Sequence, residues 1–296
     1  MSWLAGIGWA LAAAGAAGLD DGPVQASGPE FDAARGVHVF KVRSPFLRGE
    51  NAVEVLLPKA FDAKRKYRTL YVLPVEPGVG GRYGDGLAEV RKSGAHDRHD
   101  LICVAPAFDT MPWYGAHAAD PLIRHEEYLK KTVVPLVEGR YPATGKPMDR
   151  LLLGFSKSGW GAVTLLLRDP EFFGRACSWD APLMMDRSRF GQFETRQHFG
   201  TAEQFAQYLP AEWAAKNAAS FRKTARIAVL GHSSFGRVAS PANTCHTEAF
   251  HKKLEELGIR HRYDNGLKHA HEWGSGWVPK AVEALMEMAG EGEGER

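Results

Sequence analysis

Twelve consecutive residues in the middle of the chain, Leu151-Leu152-Leu153-Gly154-Phe155-Ser156-Lys157-Ser158-Gly159-Trp160-Gly161-Ala162, constrain its fold more than any others. A short apolar run of strand type meets a serine flanked by small residues, and a helical pattern begins at once. Such a junction forces a sharp, strained backbone turn at the serine. The residues two positions either side must be small, because strand and helix have to approach each other there. The usual spacing is Gly-x-Ser-x-Gly; here Ser158 stands at the second glycine position. The turn lifts the Ser156 hydroxyl above a sheet edge. It also leaves the Lys157 N–H unpaired at a helix start, where the helix dipole favours an oxyanion. A serine-rich loop that merely caps a helix is the plainer alternative.

The rest of the chain fits around that junction. Strand-like runs occur at His38–Arg43, Ala52–Leu57, Thr69–Leu73, Leu101–Ala105, Leu151–Gly154, Arg175–Trp179 and Arg226–Leu230, with a last one at Arg260–Tyr263. Helical periodicity covers Ile123–Val137, Trp160–Leu167, Thr247–Leu257 and Val278–Met288. Apolar strands separated by amphipathic helices imply βαβ units and a mostly parallel sheet covered on both faces. The first strands have no helix between them, which predicts an antiparallel start. One α/β domain over residues 30–289 is expected, with a helical cap insertion at 184–221, before the penultimate strand, and a flexible tail at 290–296. Reactive groups belong at the strand C-terminal ends of such a sheet.

Composition removes several classes. The chain is 44% hydrophobic and 24% charged, so disorder and coiled coil are poor readings. A net charge of +2 gives no electrostatic case for nucleic acid or an anionic membrane. Cys103, Cys177 and Cys245 are too far apart for a disulfide framework or a zinc site, and buried free thiols are expected. No HExxH or comparable metal spacing occurs, and no cofactor is expected. Trp3–Leu19 is an apolar, small-residue run ending at Asp20-Asp21, with Ala14-Gly15-Ala16 as a small-x-small cleavage pattern. Residues 1–19 therefore read as a signal peptide, though no basic residue precedes the run, and the mature protein is expected to be secreted or periplasmic and not membrane-bound.

A serine nucleophile needs a base. Among 12 histidines, His271 in the segment after the last strand is preferred, with His269 as the alternative. Trp273 and Trp277 follow closely and would shield the imidazole. The third member is less obvious. The turn after Arg226–Leu230 holds no Asp or Glu before Glu248, whereas Asp180 ends the preceding strand. A carboxylate in that position is costly unless partnered, and a histidine N–H would partner it. Asp180 is therefore the preferred acid, with Asp264 and Glu272 as alternatives and a capping role for Asp180 as the plainer reading. The second oxyanion donor should come from the loop after Thr69–Leu73. Pro74 and Pro77 lack an N–H, which leaves Val75 or Glu76. Glu76 would need a cation beside it, and Lys157 is the candidate. Trp113, Tyr114, Trp160 and Trp273 are candidates to line a substrate cleft.

Gly154–Ala162, Met111-Pro112-Trp113-Tyr114-Gly115, Glu126-Glu127-Tyr128-Leu129 and His271-Glu272-Trp273 resemble the esterase D-like branch of the α/β-hydrolases. That resemblance spans about Ala52 to Met288. It implies an α/β-hydrolase fold with Ser156 as nucleophile, His271 as base, and an oxyanion hole from the Lys157 N–H and the Val75/Glu76 loop. Two departures stand out: the usual acid turn has no acid, and Pro74-Val75-Glu76 replaces the common His-Gly. Asp180 resembles the acid placement of pancreatic-type lipases. The expected activity is cleavage of carboxylic esters, free or polysaccharide-linked, through an acyl-enzyme. An acyltransferase with the same nucleophile is one alternative, and a catalytically degenerate binding protein is another.

Overall fold

Strands that are apolar on both faces must be covered on both faces, and the computed structural model is built around that requirement. It describes residues 23–232, 238 and 244–291. The expected signal peptide, 1–19, lies outside the described residues. Nine strands form one sheet: β1 (Gln25–Asp32), β2 (Val37–Arg43), β3 (Asn51–Leu56), β4 (Arg68–Val72), β5 (Leu101–Pro106), β6 (Arg150–Phe155), β7 (Arg175–Trp179), β8 (Ile227–Leu230) and β9 (His261–Asp264). Their order is β1-β2-β3-β5-β4-β6-β7-β8-β9. The β1–β2, β2–β3 and β3–β5 pairs are antiparallel, and every pair from β5 to β9 is parallel.

Alternation along each strand divides the core into two layers. Tyr71, Val104 and Leu152 face a layer with Tyr128, Val163, Leu166, Phe250 and Leu254. Leu70, Val72, Leu151, Leu153 and Trp179 face the other, with Leu87, Val90, Val278, Ala281 and Leu285. Each such side chain contributes about 1.5–3 kcal/mol on full burial. Cys103, Cys177 and Cys245 are free and buried.

Several elements differ from the sequence expectation. Strand β1 carries no apolar alternation, being exposed along almost its whole length at the sheet edge. The helix Gly86–Ser93 starts where the Asp85 side chain accepts from Leu87 N–H and Ala88 N–H. The helix expected over Ile123–Val137 is α-helical at His125–Tyr128 and Val134–Arg140, with a π-helical turn, Leu129–Val133, between them. Pro135 follows that turn. It has no N–H to donate, and its ring crowds the preceding turn. Residues 184–221 hold only short helices and 3₁₀ turns, inserted between β7 and β8. Phe199, Phe205, Tyr208 and Ala214 of this insertion pack into the same layer as the helix that follows Ser156. The final helix, Trp277–Glu291, runs two residues into the expected tail, and 292–296 lie outside the described residues.

Candidate active site

The β6 strand ends at Phe155, and the helix Ser156–Arg168 starts on the next residue. Nothing but a left-handed residue makes that turn, and Ser156 has φ of +53°. A non-glycine residue held there costs about 1–3 kcal/mol, so the surroundings must impose it. Ser158 does part of this. Its Oγ accepts from Phe155 N–H at 3.1 Å and donates to Phe155 C=O at 2.9 Å, closing the turn from inside the helix. The closest approach to β7 falls one residue later. A Cβ on Gly159 would stand 2.5 Å from Ser178 Oγ and 2.9 Å from Ala181 Cβ. The departure from the usual spacing thus adds a side-chain clamp and leaves the needed glycine at 159.

Asp180 directly follows β7 and also has a left-handed backbone, φ +41°. Its C=O accepts the Ser156 N–H at 3.1 Å, so the two strained residues are joined through the main chain. Asp180 is 2% exposed and its Oδ2 lies 2.6 Å from His271 Nδ1. His271 arrives from the segment after β9. With Nδ1–H donating to Asp180, its Nε2 carries the lone pair. The structure thus brings Ser156, Asp180 and His271 to one place. The alternatives lie elsewhere: His269 is exposed and packs edge-on against Trp277 at 4.9 Å, Asp264 accepts Gly266 N–H at 2.8 Å, and Glu272 is exposed.

An aromatic wall holds the imidazole. Phe155 and Tyr83 meet the His271 ring edge-on, at 5.1 and 5.2 Å. Trp179 stacks on Phe155 at 5.4 Å, and Trp273 sits edge-on to both. Trp273 N–H donates to Tyr83 C=O at 2.8 Å, which ties the histidine segment to the loop after β4. Trp277, expected beside the imidazole, instead stacks on Trp179 and donates its Nε1–H to Ala270 C=O.

Two expectations need correction. Trp113, Tyr114 and Trp160 are 0% exposed and line no open cleft, whereas Trp273, 2% exposed, lines a small cavity with Pro74, Val75, Glu76 and Tyr83. The first three are packing residues: Trp113 and Trp160 meet edge-to-face at 5.2 Å, and Trp113 Nε1–H donates to Phe193 C=O at 3.0 Å. Nor does Glu76 pair with Lys157. Its carboxylate accepts Arg82 N–H at 3.0 Å and faces Arg82 Nε at 3.3 Å. Lys157 is half-buried, and that burial lowers its pKa against the opposing influence of Glu194 and Glu76.

Tyr114 has a different role from the expected one. Its hydroxyl donates to Pro74 C=O at 2.5 Å, and its backbone is left-handed, φ +54°. Its ring lies so close to the helix after Ser156 that a Cβ on Gly161 would fall 2.1 Å from it. Tyr114 therefore connects that helix to the Pro74–Glu76 loop, where Val75 is buried. Because a peptide is planar, fixing the Pro74 carbonyl also fixes the direction of the Val75 N–H. Sequence reasoning missed Tyr83, Arg82 and the positioning role of Tyr114. It also missed Phe155, which its place directly before the serine could have signalled.

A serine on a strand–helix elbow, with a buried Asp–His pair at the C-terminal ends of a mostly parallel sheet, defines an α/β-hydrolase. The family model described as "Putative esterase" matches residues 107–288, and the chain belongs to this Esterase family, in its esterase D-like branch. Ser156, Asp180 and His271 all lie within the matched stretch. No curated protein sequence matches the chain. Among solved structures, it is similar to an S-formylglutathione hydrolase from Agrobacterium tumefaciens, with TM-score 0.65 and 15% identity over 89% of this chain and 98% of that one. The fluorophosphonate-binding serine hydrolase FphF of Staphylococcus aureus gives TM-score 0.61 and 14% identity over 90% of this chain and 98% of its own. A ferulic acid esterase gives 0.59 and 16% over 90% and 98%. At these identities the likeness is one of fold.

Proposed function

We propose that the chain is a secreted serine esterase working through an acyl-enzyme on Ser156. The observation that carries this reading is the 2.6 Å contact of the buried Asp180 carboxylate with His271 Nδ1, on a residue whose own carbonyl holds the Ser156 amide. His271 Nε2 takes the Ser156 hydroxyl proton as Oγ attacks the ester carbonyl. Asp180 stays ionised, holds the tautomer and stabilises the imidazolium. The tetrahedral oxyanion is received by the Lys157 N–H and by an N–H of Val75 or Glu76. Collapse breaks the bond to the alcohol, which leaves with the proton from His271 Nε2. Water then repeats the sequence: His271 deprotonates it, it attacks the acyl carbonyl, and the carboxylic acid departs as Ser156 recovers its proton.

A fluorophosphonate probe tests the reading directly. Intact protein should be labelled at Ser156, with labelling lost in Ser156→Ala and in heat-unfolded protein. Folded protein that takes no label would reject the catalytic reading and leave a binding protein. Export is tested separately: the protein recovered outside the cytoplasm should have lost the apolar run and begin between Ala17 and Asp20.

A further inference from the structure

A buried ion pair is weak evidence of stability, because desolvation offsets most of what the charges gain. Glu54, in β3, forms such a pair. Its side chain is 4% exposed, and Arg35 meets both of its oxygens from the turn between β1 and β2, with Nη2 at 2.6 Å from Oε2. Burial raises the Glu54 pKa, with Arg35 opposing it. The same Nη2 lies 2.6 Å from Asp85 Oδ2. Asp85 caps the helix Gly86–Ser93 with its other oxygen, which accepts Leu87 N–H at 2.9 Å and Ala88 N–H at 3.0 Å. Further along that helix Arg91 donates back to Arg35 C=O at 2.9 Å. The turn and the helix are thus clasped at two points. The clasped segment leads straight to the imidazole. A Cβ on Gly86 would fall 2.7 Å from Val72 Cγ1 and 2.8 Å from the Trp273 ring, so the helix start lies flush on both. One on Gly84 would meet Trp273 Cβ at 3.5 Å. Tyr83 C=O accepts Trp273 N–H at 2.8 Å, and the Tyr83 ring meets His271 edge-on at 5.2 Å. Residues 83–86 are therefore the surface on which Trp273 and His271 rest, and Arg35 grips that surface at Asp85.

We infer that Arg35, anchored by Glu54, is a positioning residue for His271: it fixes Asp85, and with it the 83–86 segment that keeps the imidazole on Asp180. This inference rests on the hydrolase reading of Ser156 and adds to it a residue remote from the reacting atoms. Its mark is a loss of rate without a loss of binding. A second Arg–Glu pair, Arg150 with Glu138, serves as the comparison. It is also partly buried, but Arg150 begins β6 and so stands at the end of that strand away from Ser156.

Arg35→Met should lower kcat for 4-nitrophenyl acetate by about 10-fold with KM little changed, and fluorophosphonate labelling of Ser156 should slow to match. Arg35→Lys keeps the charge and should recover part of the loss. Arg150→Met should lower the thermal midpoint and leave kcat unchanged. The downfield proton resonance of His271 Nδ1–H, identified by its loss in Asp180→Asn, should broaden in Arg35→Met and stay sharp in Arg150→Met. If Arg35→Met does not fold, Asp85→Asn carries the test, since asparagine still caps a helix but lacks the charge that meets Arg35. There too kcat should fall with KM held. Unchanged kcat in the folded Arg35 or Asp85 variant overturns the inference. So does an equal fall in Arg150→Met, a resonance that stays sharp in Arg35→Met, or a kcat in Arg35→Lys no better than in Arg35→Met. In each of these cases wild-type protein still labels at Ser156 and the hydrolase reading stands. Wild-type protein that takes no label brings down that reading, and this inference with it.

Discussion

Two regions of the site are built in contrasting ways. Ser156 and Asp180 sit at the ends of neighbouring central strands, 3% and 2% exposed, each in a left-handed conformation and joined by a backbone hydrogen bond. The loop after β4 and the segment carrying His271 lie further out and are held by side-chain contacts together with the main-chain bond from Trp273 N–H to Tyr83 C=O. Tyr114 holds Pro74, Arg82 holds Glu76, Tyr83 and Trp273 join the two segments, and Asp180 receives the imidazole. The sheet sets the positions of Ser156 and Asp180, and the loops bring His271 and the Pro74–Glu76 segment onto them. Damage to the first region, or to His271 itself, should abolish chemistry; damage to the contacts that hold the outer loops should weaken it by steps.

The largest effect tests the first region. Ser156→Ala should lower ester hydrolysis by about 10⁴-fold or more while thermal unfolding stays close to wild type. Asp180→Asn should come next, with a fall in kcat of about 10⁴-fold from loss of the imidazole tautomer. Activity near wild type in that variant would move the acid elsewhere and erase the contrast. Tyr114→Phe removes one hydroxyl and leaves Pro74 C=O unpaired in the interior. We expect kcat to fall about 10–100-fold with little change in KM, since the oxyanion donor is misaimed and the substrate is still bound. Equal loss in both parameters would make Tyr114 a packing residue only. Arg82→Gln should cost less, a few-fold, by releasing the Glu76 charge towards the developing oxyanion.

Acid offers a further way to separate the regions. The His125 and His198 rings meet at a tilt of 51° with centroids 4.5 Å apart, and Phe108 links His125 to Tyr114. Burial pushes His198 down to about 3, and His125 falls well below its usual value. Both are neutral when folded and take up protons once unfolded. Below about pH 6.5 the unfolded state takes up protons that the folded state does not, so stability falls by about 1.4 kcal/mol per pH unit for each group, for His198 down to about pH 3. Thermal unfolding followed from pH 7 to pH 5 should show this decline, and His198→Gln should flatten it.

How much of this was legible in the sequence follows from the same contrast. The β6–Ser156–helix junction can be read because its geometry admits few residue types, and the whole parallel half follows from strands buried on both faces. Asp180 was reached by absence, since the later turn had no acid and this strand ended in one. The outer region was much less legible. Trp113, Tyr114 and Trp160 fill the core and Trp273 lines a small cavity, yet an aromatic side chain looks the same in sequence in either setting. Arg82 and Tyr83 lie in a glycine-rich loop with no periodicity. Strand β1 escaped because an edge strand with little burial has no apolar rhythm to detect.

The bond from the Ser156 amide to the Asp180 carbonyl has one more consequence. It uses no side-chain atom, so replacing either side chain leaves the spacing of the two positions unaltered. A thiol exchanged for the hydroxyl, as in Ser156→Cys, would inherit the same framework. Any change in its reactivity would then report on sulfur against oxygen, with the architecture held constant.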